Sequence, residues 1–254
     1  MSPRITLAVA FRVLTQLRRD RRTLAMLLAL PCLVLTLLWW MFEGDGAAGS
    51  AGFSRLGPPL LALIPFVVMF LVTSVTTLRE RSSGTLERLL AMPTGKGDFL
   101  GGYAIAFGLV AGLQSAFAVA LSLTVLDLQV SGPGWMLVVV AVVDAVLGTA
   151  LGLFVSAFAR TEFQAVQFMP ALVVPQILLC GLFLPREAMP RVLEAVSDVL
   201  PLSYAVDAMT GVSTRTGSAL GGVSGEVWSD LLVVLAFALA GLVLGAATLR
   251  RRTA

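Results

Sequence analysis

The chain has 254 residues, 57% of them hydrophobic and 13% charged, with a formal net charge of +3. Soluble domains carry about a quarter charged residues, so a soluble globular fold is excluded and a polytopic membrane protein is indicated. There is no histidine, which removes imidazole acid–base catalysis and histidine metal sites. The basic residues gather beside apolar runs, a topology signal and not a nucleic-acid footprint.

Residues 3–22 read as a basic amphipathic helix. Ser2 and Pro3 suit its cap and first turn. Leu7, Ala10, Val13, Leu14 and Leu17 fall on one predicted face, and Arg4, Arg12, Thr15 and Arg19 on the other. Such a helix beside a span is expected to lie in the membrane interface. No small-residue cleavage site follows it, so it does not read as a signal peptide.

A spanning helix needs about 20 apolar residues. Spans are predicted over 23–42, 56–78, 99–126, 133–159, 163–185 and 231–249. The fourth lies within a run from Leu128 to Ala159 that only Asp144 interrupts. A Gly-rich loop is expected over 43–57, a tight turn around Asp127 and a short turn at 160–162. The 186–230 connection contains "MPRVLEAVSDVLPLSYAVDAM", which reads as two short helices broken at Pro201, neither long enough to cross. Cys32 and Cys180 both sit in apolar runs and read as packed thiols. The fold class is therefore all-α integral membrane.

Six spans put both termini on one side. Grouping the termini, the 79–98 loop and the 160–162 turn collects 14 of the 18 basic residues with five acids. The opposite side holds the other four basic residues, Arg55, Arg186, Arg191 and Arg215, with nine acids. The positive-inside rule makes the first group, and hence the termini, cytoplasmic.

The 79–98 segment, "RERSSGTLERLLAMPTGKGD", packs seven charges between two apolar runs. Gly84 and Thr85 can open a helix, Glu87 lies in its first turn and Pro93 stops it. Leu86, Leu89 and Leu90 share an apolar face beside Glu87 and Arg88. Two readings stand: a solvated turn that fixes topology, or a docking helix for a soluble partner. Acids interleaved with arginines, and a leucine face directed at the cytoplasm, are features that topology does not require.

"RERSSGTLERLLAMPTGKGDFLGGY" resembles the cytoplasmic loop of ABC-2 type permeases, most of all those of the daunorubicin-resistance type. The shared pattern is Arg79, Glu80 and Arg81 at the entry, then Gly84, Thr85, Leu86, Glu87, Arg88 and Leu89, then Pro93. "LPLSYAVDAM", Leu200 to Met209, is similar to the family's second recurrent segment, although Thr210 and Gly211 follow where a basic residue is frequent. The resemblance covers essentially the whole chain. It implies a coupling helix in the 79–98 loop that sits on a separate cytoplasmic ATPase, with the N-terminal helix touching the same subunit. It also implies two ATPase copies carrying ATP and Mg, a second permease copy, an extracellular gate region around Pro201, Tyr204 and Asp207, and a bacterial inner membrane. The chain has no Walker A motif of its own: "PTGKGD" has Gly97 where Ser or Thr must ligand Mg²⁺, and Leu90 where the first Gly must stand.

Other residues carry both a bland and a functional reading. Asp144 in mid-span is costly and suits a substrate pathway, but a protonated or hydrogen-bonded acid would also do. Phe163, Gln164, Gln167, Phe168 and Gln176 give the fifth span a polar and aromatic stripe that could line the same pathway or bond to neighbouring helices. Gly108–Gly112, Gly148–Gly152 and Gly241–Gly245 are G-x-x-x-G spacings that read as helix packing. Pro31, Pro65, Pro170 and Pro175 should bend their spans. The resemblance implies an exporter of drugs, secondary metabolites, lipids or glycans, and an apolar path favours a hydrophobic or amphipathic cargo. An ion-coupled secondary transporter using Asp144 is the alternative.

Overall fold

A computed structural model describes residues 2–43, 46–82, 96–215 and 222–248. Among them the regular structure is helical throughout, with α1 Pro3–Arg19, α2 Arg21–Phe42, α3 Gly46–Ser82, α4 Lys96–Thr124, α5 Gly134–Ser156 and α6 Glu162–Leu179. A 3-10 turn at Arg186–Ala188 leads to α7 Arg191–Ser197, α8 Pro201–Thr214 and α9 Gly225–Thr248. Six of these helices, α2 to α6 and α9, are long and apolar enough to cross a membrane.

Helix α5 is the axis of the bundle. It packs on α3, α4, α8 and α9, and the three G-x-x-x-G pairs named above lie on its contacts. A Cβ at Gly148 would stand 2.4 Å from the Phe66 carbonyl oxygen of α3, and one at Gly152 would stand 2.5 Å from that of Phe70. Gly108 and Gly112 of α4 face Val146 and Val142, while Gly241 and Gly245 of α9 face Ala150 and Phe154. Lipid tails are as apolar as leucine, so close backbone approach must supply the attraction between spans.

The helices differ from the sequence expectation in three places. The Gly-rich 43–57 stretch is not a loop: α3 already begins at Gly46. Packing overrides the weak propensity, because Phe53 is buried and Gly52 lies against the Phe42 ring, leaving no room for a Cβ. The fifth span ends at Leu179, short of the expected 185, and the chain turns through Gly181 at φ +90°. Helix α1 buries Val9, Ala10, Val13 and Leu17, whereas Leu7, expected on the apolar face, is 59% exposed. The reason is α4: Gly102 opens a groove that takes Val9, where a Cβ would stand 2.6 Å from that side chain. This docking turns Arg12, expected on the polar face, toward the bundle.

The two short helices broken at Pro201 are present as α7 and α8. Pro201 opens α8, where its missing N–H costs nothing. Helix α8 packs against α3, α5 and α9 and buries most of its length. Its last turn is pinned by the 125–133 connection: Ser131 and Gly132 N–H donate to the Ser213 and Val212 carbonyls at 2.9 Å. These bonds satisfy carbonyls that a helix end leaves open. Gly132 is required there, since a Cβ would lie 2.4 Å from the Val212 oxygen.

Candidate functional site

Charge concentrates at the two ends of the bundle. At the arginine-rich end, α1 is fastened to both sides of the segment between α3 and α4. Arg12 Nη2 donates to Glu80 Oε1 and Oε2 at 3.1 and 3.0 Å and approaches the Tyr103 hydroxyl at 3.2 Å. The Tyr103 hydroxyl donates to Glu80 Oε2. Its ring is fixed by Phe99 and Phe107, with centroids 4.4 and 5.8 Å away. Glu80 ends the apolar part of α3, and Tyr103 lies in the second turn of α4. Asp98, at the start of α4, accepts from Ser2 N–H at 2.7 Å and from the Thr6 hydroxyl at 3.2 Å. Glu80 and Asp98 are both buried. Neither charge could sit there without such donors.

Two further contacts brace this end. Arg79 makes a two-pronged bond to Glu162, with nitrogen–oxygen distances of 2.8 and 2.9 Å, joining α3 to the start of α6. Asp20 caps α2 through the Thr23 N–H at 3.1 Å. Hydrogen bonds from Thr23 hold the Asp20 carboxyl below the usual range.

Of the expected coupling residues, Glu80 is therefore placed and partnered, and Arg81 lies in the last turn of α3. Gly84, Thr85, Leu86, Glu87, Arg88 and Leu89 lie outside the described residues.

The opposite end is acid-rich. Arg186, just past α6, donates to Asp198 and Asp207 and lies over the Tyr204 ring, 5.1 Å from its centroid. The Tyr204 hydroxyl donates to the Asp198 carbonyl at 2.7 Å. The guanidinium thus ties α7 to α8. Tyr204 and Asp207, both named from the sequence, meet around it, with Pro201 one turn away at the head of α8. Burial pushes the Asp207 carboxyl above the ordinary carboxylate range, against the opposing pull of Arg186. Arg215 pairs with Glu226 nearby.

Between the ends, Asp144 is fully buried on α5, and among the described residues neither carboxyl oxygen has a hydrogen-bond partner. The stripe expected on the fifth span is not one face. Gln176 is buried, donating to the Leu172 carbonyl at 3.1 Å with its own oxygen unpartnered. Phe168 packs on the core, whereas Gln167 and Phe163 are exposed. Gln164 is a capping residue: its side-chain oxygen accepts from Arg160 N–H at 2.9 Å, while its own N–H donates to Thr161 Oγ1. Among the described residues no group of three or more Asp, Glu or Cys is arranged to hold a metal ion.

Arg12, Tyr103, Asp98 and Arg186 were not singled out by the sequence. Arg12 was placed there on the polar face of the first helix, and Arg186 counted only toward sidedness. Each is separated from its partners by a spacing that no local periodicity encodes: 68 residues for Arg12 and Glu80, and 21 for Arg186 and Asp207.

Comparison with known proteins gives a consistent picture. The ABC-2 type transporter family matches residues 5–213. The chain is 28% identical over 179 residues to the probable multidrug ABC transporter permease YbhR of Escherichia coli, covering 70% of this chain and 48% of that protein. It is 24% identical over 170 residues to the linearmycin resistance permease protein LnrN of Bacillus subtilis, covering 66% of this chain and 41% of that one. It is also 25% identical over 192 residues to ABC transporter G family member 20 of Dictyostelium discoideum, covering 76% and 26% respectively. The chain thus spans about half or less of the length of these curated relatives.

Proposed function

The chain belongs to the ABC-2 type transporter family, and from that premise we propose that it is the membrane subunit of an ATP-driven exporter. Its cargo is a hydrophobic or amphipathic compound, and hydrolysis falls to a separate cytoplasmic ATPase. Two ATPase copies and a second permease copy complete the working unit, in a bacterial inner membrane with both termini cytoplasmic. The names of the multidrug and linearmycin-resistance relatives support export of this kind.

The observation that carries the proposal is the fastening of α1 to Glu80 and Asp98. These two residues bracket the segment expected to receive the ATPase. A push on that segment is delivered to α3, α4 and α1 together, and α3 and α4 both pack on the central α5. Motion at the arginine-rich end would therefore reach the whole bundle as a rigid-body tilt.

The test is a mild-detergent pull-down of the tagged protein from its native membrane, as wild type and as Glu87→Arg. A stoichiometric ATPase partner that is lost in the variant is the expected result. An intact protein that brings no nucleotide-binding subunit in either form would refute the proposal. That outcome would favour the second reading, an ion-coupled transporter, for which the unpartnered Asp144 is the supporting observation.

A further inference from the structure

Helix α1 keeps a second face that the bundle leaves open. Docking on α4 buries Val9, Ala10, Val13 and Leu17, so most of the apolar face read from the sequence is spent inside the protein. On the outward side Arg4, Leu7, Phe11 and Arg18 are all exposed. They follow one another at helical spacings of three, four and seven residues and so form one stripe. Phe11 is 74% exposed. The stripe is apolar in its middle and basic at both ends. Arg19, Arg21 and Arg22 stand at the corner with α2 and are exposed as well. None of these five arginines joins an ion pair among the described residues. The one acid among them, Asp20, is engaged by Thr23 as the cap of α2.

The stripe lies at the boundary of the spanning region. Val9 seats on Gly102 and Ser2 on Asp98, both in the first two turns of the crossing helix α4. Asp20 alone separates α1 from α2, another crossing helix. On α2, Met26, Leu30, Leu33 and Leu37 form an exposed apolar stripe, and Arg22 stands one turn before Met26 on the same line. From Met26 to Leu37 the rise is roughly 16 Å, about the hydrocarbon depth of one leaflet. With that stripe among acyl chains, Arg22 reaches headgroup level. A soluble partner could cover α1 but could not follow the same surface down α2. A leaflet covers both, because its charged plane lies directly on its hydrocarbon.

We propose that this corner, the outward stripe of α1 together with Arg19, Arg21 and Arg22, binds anionic phospholipid. Leu7 and Phe11 enter the acyl region, and the arginines meet the phosphates. Neutral lipids also carry phosphate, but the net positive corner favours headgroups whose negative charge is uncompensated. Bound lipid then holds the same helix whose Arg12 fastens Glu80, so the charge of the leaflet bears on the joint between α1 and α3. This seating in the membrane does not rest on the exporter reading.

The test is fluorescence quenching of the Phe11→Trp protein in bilayers that contain brominated phosphatidylglycerol or brominated phosphatidylcholine. The chain's own tryptophans close α2 (Trp39, Trp40) or open α5 and α9 (Trp135, Trp228), at the opposite end, so the parent protein supplies the background. Quenching by both lipids is expected, with phosphatidylglycerol preferred at position 11 by about fivefold or more, the equivalent of one arginine at the headgroups. Arg18→Gln with Arg22→Gln should cut that preference by about half or more, and so should ~1 M salt, where the Debye length falls to about 3 Å. The salt measurement keeps the test decisive if the double variant fails to fold, and Leu7→Trp is the second probe position. Absence of quenching, which would leave the face to the ATPase or to water, overturns the proposal. Equal quenching by the two lipids, or a preference that survives the folded double variant or the salt, overturns it as well. Each outcome is read on this chain alone and is distinct from a failure to capture an ATPase.

Discussion

Replacing Gly148 by Ala tests whether close packing of α5 on α3 organises the bundle. The new Cβ would lie 2.4 Å from the Phe66 carbonyl oxygen. A carbon–oxygen contact settles at about 3.3 Å or more, so the two backbones must part by roughly 0.9 Å at that level. The obstacle is main chain and cannot rotate aside. Overpacking of this kind costs about 1–3 kcal/mol, while exchanging Gly for Ala inside a helix returns about 1 kcal/mol of propensity. The net loss is about 0–2 kcal/mol, or a fall of up to roughly 8 °C in Tm at about 2–4 °C per kcal/mol. Gly108→Ala is the control. Its Cβ would meet Val146 Cγ2 at 3.6 Å, an ordinary contact, so the propensity gain should stand and Tm should hold or rise. Both are read by thermal denaturation in detergent, followed by fluorescence-detected size exclusion. A monodisperse Gly148→Ala protein melting at or above wild type, beside a destabilised Gly108→Ala, would refute the packing argument.

Two other outcomes follow from the charged ends. Tyr103→Phe removes the hydroxyl between Arg12 and Glu80 and should cost about 1–2 kcal/mol in the same melting assay; an unchanged Tm would show that the arginine alone satisfies the carboxylate. At the other end, burial raises the Asp207 carboxyl above its unfolded value of about 3.9. The folded state then holds its proton longer than the unfolded one, so this group's stabilisation is complete below the unfolded value and is lost as pH rises through the folded one. Asp207→Asn should flatten the fall in Tm over that window, and a pH profile identical to wild type would count against the assignment.

Much of this architecture was legible because it depends on local composition. The existence of the six spans, and the break between α7 and α8 at Pro201, needed only run length, hydropathy and the proline ring. The charge tally that divides the chain into two sides has a structural echo, since α1, Arg79 and Glu162 gather at one end and the Arg186 cluster at the other. The site was legible only in part. Glu80, Tyr204 and Asp207 were named as site residues, but their partners Arg12, Tyr103 and Arg186 were not. The fifth-span stripe failed for a related reason: a list of polar residues does not say which side of the helix meets α3, and Gln164 was needed for a cap.

The sequence by itself determined an all-helical polytopic chain of the ABC-2 type, because the hydrophobic length of each segment and the identity of its short motifs are properties of neighbouring residues. Only the tertiary structure decided that α3 runs on through its glycines, that α1 turns Arg12 inward, that the three mid-span G-x-x-x-G pairs 108/112, 148/152 and 241/245 serve the central α5, and that Asp144 is left without a partner among the described residues. Those outcomes are set by which distant backbone comes within a few ångströms. That depends on the joint fit of several helices, and no window along one of them contains it.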